Sequence, residues 1–431
     1  MKKRILAFWL ACTLIPSANA QIFKGLQRKI KEKVEERINK SADENADSGL
    51  DIIERKNSEK KTTGSNAQES ITAGSKTILS SYSKFDFVPG DKIIYLDDFS
   101  KEQLGELPTA WNASGKGEIV TIVKNPGKFL RLFPGTKYLS GNTKSFGEIF
   151  TVEFDLIMDG IAPSGTRFFP ELAIGVFAAE GKSGTDNKFL DLYPSVNNVT
   201  EILLKPNVDG NSTASIKSKG EKNATTFESK DNPFKDYSAS FGRSAHYAIQ
   251  VQGSRLRFWV DGHKVFDLPR AVNKNPALNQ LYLNCSKYWF YDEHNFGLYV
   301  TNFKIATGII PQSETLLSKG RYSTSGILFD TNSNRLKPQS MGIINEISKF
   351  LNDNATVNLQ IIGYTDADGD AAANEKLSLG RANTVREVLI REFNVDAGRL
   401  TSLGKGETVP LNDNKSDISK ALNRRVEFVK N

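Results

Sequence analysis

Cysteine and histidine are scarce in this sequence, with 2 cysteines and 3 histidines among 431 residues. Cys12 lies in a segment that we expect to be removed, so Cys285 would be the only mature cysteine and no intramolecular disulfide can form. We expect Cys285 to be a small buried side chain in a strand. Residues 315–431 contain neither His nor Cys. A Ser-His triad and a thiol nucleophile are therefore excluded there.

Strong charge and long apolar runs are also missing. The formal charge is +7, and subtracting Lys2, Lys3 and Arg4 of the expected signal segment leaves +4, which is too mild to indicate a nucleic-acid partner. Hydrophobic residues make up 39% and charged residues 25%, as is typical of globular proteins. The length predicts two domains plus connecting segments.

The first residues have the pattern of a secretory signal peptide. Lys2-Lys3-Arg4 is followed by an apolar run from Ile5 to Ile15, too short to span a membrane. Ala18-Asn19-Ala20 is a small-x-small cleavage signal, so we expect residues 1–20 to be removed. Leu10-Ala11-Cys12 partly resembles a lipobox, but Trp9 stands where that motif usually has an aliphatic residue. We favour cleavage after Ala20 and expect no transmembrane segment after it.

Residues 21–84 are expected to be a basic helix followed by a polar linker. In Gln21–Lys40 apolar residues recur every four positions, which gives a narrow, slanted stripe on a helix. This stripe can contact a membrane surface or a partner helix, but a solvated helix is the favoured interpretation. From Ser41 to Lys84 the composition indicates a disordered linker.

Residues 85–310 carry the pattern of an all-β domain. Phe150–Met158 alternates apolar and polar residues, and Asp261-Gly262 separates two apolar runs as a tight hairpin turn. Many short strands between Gly, Pro and Asn turns are typical of a β-sandwich. The other expected strands are Phe129–Phe133, Glu171–Phe177, Lys188–Tyr193, Thr200–Leu204, His246–Val251, Arg255–Val260, Lys264–Leu268 and Phe296–Ile305.

Tyr95–Phe99, Trp111, the hairpin at Asp261-Gly262 and the closing Val300–Ile305 together resemble concanavalin-like (laminin-G-like) domains. The resemblance implies an all-β jelly-roll sandwich. An outer-membrane barrel is the alternative, but its strands run about 9–11 residues and most of the expected strands are shorter. We therefore favour the sandwich.

Residues 315–431 alternate strands and helices. Strands are expected at Ile327–Phe329, Val357–Ile362 and Val426–Val429, and a helix at Pro338–Leu351. Ile362–Ala382 reads as a strand end, an Asp- and Gly-rich loop and a long helix. Asp366 would lie at the strand exit, and Arg381 would follow about two turns into the helix. On the rim of one pocket, such a carboxylate and guanidinium can hold a zwitterion.

Four motifs occur here in order: Phe329-Asp330-Thr331-Asn332, Gly363-Tyr364-Thr365-Asp366, Asn374 through Leu377-Ser378 to Arg381-Ala382, and Asn423-Arg424-Arg425-Val426. They resemble the OmpA-like C-terminal domain, the peptidoglycan-binding module of Gram-negative envelopes. Tyr364 stands where that family most often has His. The resemblance implies an α+β fold (βαβαβ) and a peptidoglycan site made of Asn332, Asp366, Asn374, Arg381 and Arg424. In the last strand Arg424 and Arg425 should point to opposite faces, and the family pattern favours Arg424 as the ligand.

We therefore expect a non-enzymatic protein of the periplasm, associated with the outer membrane or cell wall. It would bind peptidoglycan non-covalently through the diamino acid of the stem peptide. The sandwich would bind a carbohydrate or an envelope protein, or act as a spacer. No cofactor, metal or nucleic acid is expected. Asp366, Asp368 and Asp370 faintly resemble a calcium loop, but the closing Glu is absent, so a solvated acidic loop is favoured.

The alternative function is a peptidoglycan-anchored glycan hydrolase with its active site in the sandwich. Glu153 and Asp155 would share one face of a strand, as glycosidase chemistry requires. The usual third acid is missing, and we favour solvent-facing acids on the outer sheet. The three histidines, His246, His263 and His294, are isolated in sequence. Trp259, Trp289 and Tyr291 are candidates either for sugar stacking or for the core.

Overall fold

A computed structural model describes residues 86–123, 125–160, 169–191, 196–207, 211–234, 241–287, 296–309 and 312–431. The predicted signal peptide, basic helix and polar linker lie outside these residues, as do Trp289 and Tyr291. Among the helices of the described part, none is both long and apolar enough to cross a membrane.

The described residues between Lys92 and Thr307 form two antiparallel sheets. Their strands are β1 (Lys92–Asp97), β2 (Asn112–Ala113), β3 (Gly117–Ile122), β4 (Asn125–Leu132), β5 (Lys137–Leu139), β6 (Ile149–Gly160), β7 (Leu172–Phe177), β8 (Val199–Lys205), β9 (Thr213–Lys219), β10 (Thr225–Glu228), β11 (Asn232–Pro233), β12 (Ala245–Gln252), β13 (Arg255–Val260), β14 (His263–Leu268), β15 (Gln280–Cys285) and β16 (Phe296–Thr307).

The first sheet has the order β14-β13-β12-β6-β16-β4-β3, with β1 also paired to β16. The second has the order β10-β9-β8-β7-β15-β5-β2, with β11 paired to β9. One core joins them, because Phe154 and Tyr247 of the first sheet belong to the same buried cluster as Ile174 and Leu283 of the second. The predicted β-rich region is confirmed, and its concanavalin-like topology stays a prediction.

Several local predictions can be checked in this region. The hairpin at Asp261-Gly262 is confirmed, with both residues in the left-handed conformation that such turns need (φ +48° and +79°). Cys285 is buried in β15, and burial raises the pKa of its thiol to about 12. The strand predicted at Lys188–Tyr193 is wrong. A 3-10 helix occupies Asn187–Leu190, because the Asp186 side chain accepts the Lys188 N–H and caps a helical turn.

The described residues after Gly308 form a four-stranded sheet with helices. The strand order is β17-β20-β18-β19, with β18 and β19 parallel. The elements are α1 (Gln312–Lys319), β17 (Arg321–Thr324), α2 (Met341–Asp353), β18 (Leu359–Gly363), α3 (Ala371–Phe393), β19 (Leu400–Gly404), α4 (Asp417–Asn423) and β20 (Val426–Lys430).

The strand predicted at Ile327–Phe329 is wrong. Ile327 is apolar because it is buried in the core beside α2, while Phe329 makes only an isolated bridge to Leu336. The first strand of this sheet comes earlier, at Arg321–Thr324. The helix predicted over Pro338–Leu351 is confirmed as a 3-10 turn, Pro338–Ser340, that leads into α2.

Gly363, at the end of β18, sets the distance between that strand and α3. A Cβ atom there would lie 2.1 Å from the backbone oxygen of Ser378, so only glycine allows this approach. The loop leaving β18 therefore runs directly against the first turns of α3. This packing brings Asp366 and Arg381 to the same end of the sheet.

The segment Asp86–Gly90 lies between the first sheet and the C-terminal region. The Phe87 ring packs on Trp259 of β13, with 5.1 Å between ring centroids. On its other side the backbone oxygen of Phe87 faces Gly342 of α2, where a Cβ would approach to 2.0 Å. Trp259 is thus a buried residue, and the outer face of the first sheet is covered here.

Candidate functional site

The loop between β18 and α3 is held by its own polar side chains. Asp370 caps α3 by accepting the Ala373 N–H at 2.9 Å. The Asn374 amide donates to the backbone oxygen of Asp368 at 3.0 Å and to Glu407 Oε2 at 2.6 Å. Asn374 is buried, so its amide holds the loop in place from inside the fold.

The three loop aspartates have separate partners. Asp366 is buried and accepts a hydrogen bond at Oδ2 from Arg424 Nη1. Asp368 faces Lys420, with 2.8 Å between Oδ1 and Nζ, and Asp370 is the cap of α3. Among the described residues no group of three or more acidic, His or Cys side chains converges as a metal site would require.

Arg381 is a half-buried cation on α3. Its Nε donates to the backbone oxygen of Ser333 at 3.0 Å, and its guanidinium lies 5.1 Å from the centre of the Phe329 ring. Within the described residues, no carboxylate oxygen lies within 4.0 Å of this guanidinium. Burial lowers the pKa of Arg381, the charge of Arg424 lowers it further, and Asp366 opposes both. Arg381 is therefore a fixed cation that has Asp366 nearby but contacts no acid among the residues that the structure describes.

Arg424 and Arg425 have different environments. Arg424 follows α4 directly and its side chain is 45% exposed, whereas that of Arg425 is only 2% exposed. Arg425 lies over the Tyr364 ring, 3.6 Å from its centre, and Nε donates to Glu427 Oε1 at 3.0 Å. Both arginines precede β20, which begins at Val426, so strand alternation does not determine their directions.

Arg381 and Arg424 line one cleft of about 180 Å³, together with Phe329, Tyr364 and Arg425. Asp366 is linked to this cleft through Arg424. We call Asp366, Arg381 and Arg424 the cleft site.

The remaining two predicted ligand residues lie outside the lining of the cleft. Asn374 is buried beneath the loop. Asn332 is exposed, with a left-handed backbone (φ +53°), and directly precedes Ser333, the residue whose carbonyl holds Arg381. Sequence reasoning missed Ser333, because a backbone acceptor leaves no signal in residue type.

A protein-family model described as "OmpA family" matches residues 328–424. These residues are an OmpA-family domain. The match includes each residue of the cleft site and both residues on which Arg381 rests, Phe329 and Ser333.

Curated relatives match the same part of the chain. Outer membrane protein Omp38 of Acinetobacter baumannii is 40% identical over 100 residues, which is 23% of this chain and 28% of that protein. Outer membrane porin F of Pseudomonas aeruginosa is 38% identical over 101 residues, 23% of this chain and 29% of that protein. The chain thus spans less than a third of the length of these relatives, and the likeness concerns the OmpA-family domain.

Solved structures match about a quarter of the chain. The peptidoglycan-associated lipoprotein from Burkholderia pseudomallei is 25% identical and covers 25% of this chain and 89% of its own, with a TM-score of 0.23. The periplasmic domain of Helicobacter pylori MotB (residues 90–256) is 25% identical over 26% of this chain and 74% of its own, with a TM-score of 0.24.

A second group of charged side chains lies on the outer face of the first sheet. We call Glu153, Asp155, His246 and Lys304 the buried cluster. His246 lies between the two acids, with Nδ1 2.8 Å from Asp155 Oδ1 and Nε2 3.4 Å from Glu153 Oε2. Lys304 Nζ lies 2.8 Å from Glu153 Oε1. The prediction that Glu153 faces solvent is wrong, because its side chain is 3% exposed.

The pKa values of Glu153, Asp155 and His246 each reflect a competition between burial and the opposite charges. Burial alone raises the pKa of Glu153, but Lys304 and His246 outweigh it and lower the pKa to about 2. Burial alone lowers the pKa of His246, but the hydrogen bond to Asp155 and the neighbouring Glu153 carboxylate raise it to about 9. The pKa of Asp155 is also lowered, since His246 and Asn302 overcome burial. At neutral pH both acids are therefore ionised and His246 is protonated.

The OmpA-family domain lies against the buried cluster. A cavity of about 10 Å³ lies beside His246 and is lined by Phe87, Trp259 and, from the domain, Gln339 and Gly342. This volume holds no more than a single water molecule. A sugar ring therefore has no access to His246 from this side.

Proposed function

We propose that this chain is an exported cell-envelope protein that binds peptidoglycan non-covalently through the diamino acid of the stem peptide. The OmpA-family domain would provide the site, and the two-sheet region would act as a spacer or bind a carbohydrate or an envelope protein. The protein would reside in the periplasm, associated with the outer membrane or the wall.

The observation that carries this proposal is the state of Arg381. A half-buried guanidinium without a carboxylate in contact loses hydration and gains no ion pair in return, which is costly unless a ligand supplies the anion. Ser333 and Phe329 fix its direction, so little ordering entropy is lost when a ligand arrives. The guanidinium fork then matches the two oxygens of a carboxylate.

A free amino acid end presents a carboxylate and an ammonium on one carbon. In the proposed complex the carboxylate binds Arg381 and the ammonium binds Asp366, which is already oriented by Arg424. Asn374 and Asn332 support the site through the loop and the turn that carry Asp366 and Ser333. A diamino acid that uses its other end in the peptide chain leaves such a zwitterion free, which explains the choice of ligand.

The alternative function, a glycan hydrolase in the two-sheet region, is not favoured by the buried cluster. A glycosidase needs one acid with a raised pKa and room for a sugar and water between the carboxyl groups. Here both Glu153 and Asp155 have lowered pKa values, and the His246 ring lies between them. We therefore propose a binding role and not a catalytic one.

Co-sedimentation with purified peptidoglycan sacculi tests this proposal. A hydrogen bond to a charged group contributes about 1.5–3 kcal/mol, so Arg381→Ala should weaken binding roughly 10- to 150-fold. Asp366→Asn should cost a similar factor, and the double variant should lose less than the sum because both side chains hold one ligand centre.

The matched control is Arg391→Ala. Arg391 lies on the same helix, but its side chain is 75% exposed and pairs with Glu387. The Arg391→Ala variant should therefore bind sacculi as strongly as the unmodified chain does. Circular dichroism confirms folding in each case. If folded Arg381→Ala sediments with sacculi as well as Arg391→Ala does, the proposed site is wrong.

A further inference from the structure

The cleft that contains the cleft site has a second wall, which comes from the two-sheet region. Ile93 and Leu96 of β1 and Lys304 of β16 line it opposite Arg381 and Arg424. None of these three residues belongs to the OmpA-family domain. The space that would receive a stem peptide is therefore bounded by both regions of the chain.

Strand pairing explains how Lys304 reaches the cleft. Leu96, Lys304 and Glu153 are direct cross-strand neighbours on β1, β16 and β6. A bulge between Thr301 and Lys304 interrupts the pairing of β16 with β6, and Asn302 within it has a left-handed backbone (φ +56°). Bulges of this kind redirect side chains and are common beside binding sites.

Lys304 is fixed as well as directed. Its ammonium lies 2.8 Å from Glu153 Oε1, and its side chain is only 12% exposed. An ammonium has three donors, and Glu153 engages one side of it. The rest of the buried cluster holds Glu153 in turn, because His246 contacts that carboxylate from the other oxygen. A lysine restrained in this way loses little entropy when it binds an anion.

The composition of the cleft indicates what it accepts beyond the zwitterion. Arg381, Arg424, Arg425 and Lys304 are cations, and Ile93 and Leu96 are apolar. The acids that pair with three of these cations, Asp366, Glu153 and Glu427, are not among the lining residues. The surface offered to a ligand is thus positive at several points with apolar side chains between them.

We propose that the two-sheet region forms part of the peptidoglycan site, with Lys304 binding a second carboxylate of the stem peptide and Leu96 packing against the adjoining aliphatic group. This inference rests on the proposed function and extends it. Two groups in a stem peptide have this chemistry, the free carboxylate of the glutamyl residue before the diamino acid and the terminal carboxylate of an alanine after it. In either case the two-sheet region and the OmpA-family domain both contact the same stem peptide.

Isothermal titration of the full chain with synthetic stem tetrapeptides tests the inference. The probes are L-Ala-γ-D-Glu-diaminopimelyl-D-Ala, the same peptide amidated at the glutamyl carboxylate, and the same peptide amidated at the terminal alanine. The unmodified chain should bind one of the two amides about tenfold more weakly than the free tetrapeptide. The amide that binds weakly shows which carboxylate contacts Lys304. Equal affinity for all three peptides would overturn the inference.

The decisive variant is Lys304→Met combined with Glu153→Gln, which removes the cation without leaving its buried partner charged. It should bind the free tetrapeptide about tenfold more weakly than the unmodified chain and should no longer distinguish the amides. The matched control is Lys101→Met. Lys101 also joins the two regions, through an exposed ion pair with Asp417 at 2.6 Å, but it does not line the cleft.

The outcomes separate this inference from the proposed function. If Lys101→Met loses the preference as fully as the Lys304 double variant, the effect comes from the contact between regions and the inference fails. If Arg381→Ala abolishes peptide binding but the folded double variant keeps the preference, the proposed function stands and the role of Lys304 is wrong. If the unmodified chain binds none of the peptides, both fail.

Discussion

The cleft site and the buried cluster contain the same kinds of side chain but differ in how their charges are balanced. In the buried cluster, Glu153 faces both His246 and Lys304, and Asp155 faces His246. In the cleft site, Asp366 pairs with Arg424, and no acid of the described part of the chain contacts Arg381. Both acids of the buried cluster are thus paired within the protein, although Lys304 also lines the cleft, whereas the cleft site leaves the guanidinium of Arg381 for a ligand.

This difference shows why a pair of acids on one strand is weak evidence for catalysis. Glu153 and Asp155 have the spacing that glycosidase chemistry needs, but the chain supplies partners for both. A charged group becomes a candidate for function when no interaction within the protein offsets the free-energy cost of its desolvation. By that criterion Arg381 is the first candidate, whereas Glu153, Asp155 and His246 stabilise the fold. Lys304 differs from these three because it also lines the cleft, where the proposed second carboxylate would bind.

The largest expected effect comes from breaking the buried cluster. His246→Ala leaves two buried carboxylates facing each other across a cavity, which should lower the free energy of unfolding by about 3–5 kcal/mol. Arg381→Ala should change it by less than about 1 kcal/mol, because burial already disfavours that charge and no ion pair is lost. Urea unfolding of both variants measures the contrast. Equal stability of the two variants would show that the clusters do not differ as argued.

Arg424 and Arg425 allow the same comparison between a cation exposed to a ligand and a cation paired inside the fold, with smaller expected effects on stability. Arg425→Ala removes a buried cation from Glu427 and from the Tyr364 ring, and should lower the free energy of unfolding by about 3 kcal/mol. Arg424→Ala removes a half-exposed side chain but leaves the buried Asp366 without this partner, so it should cost about 1–2 kcal/mol, less than Arg425→Ala, while weakening attachment to sacculi. Thermal unfolding and co-sedimentation distinguish them. A reversed order of stabilities would contradict the burial assigned to Arg425.

Much of the fold follows from local sequence patterns. The alternation of apolar and polar residues over Phe150–Met158 predicts β6, and the Asp261-Gly262 turn predicts the β13–β14 hairpin. Both predictions succeed because the side-chain period of a strand and the conformation of a tight turn are local properties. The two strands predicted wrongly, Lys188–Tyr193 and Ile327–Phe329, are short apolar segments. Their residues are apolar because they pack in a core, and a capped turn or an irregular loop satisfies that need equally well.

The site was only partly predictable for a related reason. Asp366, Arg381 and Arg424 belong to sequence motifs, and the cleft brings two of them together directly and the third through a hydrogen bond. The position of the Ser333 carbonyl depends on the path of the backbone. The position of Lys304 in the cleft depends on the contact between the two-sheet region and the OmpA-family domain. The pairing of His246 with Glu153 and Asp155 depends on β12 lying beside β6. Long-range pairings of this kind leave no signal in the spacing of residues along the chain.

The smallest effect concerns pH. The pKa of His246 is raised from 6.5 to about 9 in the folded protein, so its contribution to stability is complete below pH 6.5 and is lost as the pH rises through 9. Between pH 6.5 and pH 8.5 this loss should be on the order of 2 kcal/mol, at 1.36 kcal/mol per pKa unit. Lys137 acts in the opposite sense, since burial lowers its pKa to about 8 and its deprotonation favours the fold as the pH rises.

The difference between the unmodified chain and His246→Gln removes the contribution of Lys137 and isolates that of His246. The unmodified chain should lose its advantage over the variant steadily from pH 6.5 to pH 9, as measured by urea unfolding at each pH. Below pH 6.5 the difference should be constant until Glu153, whose pKa is lowered from 4.5 to about 2, begins to accept protons. A difference that does not change between pH 6.5 and pH 9 would mean that His246 is neutral between its two acids. The buried cluster would then carry an excess negative charge, and its contrast with the cleft site would disappear.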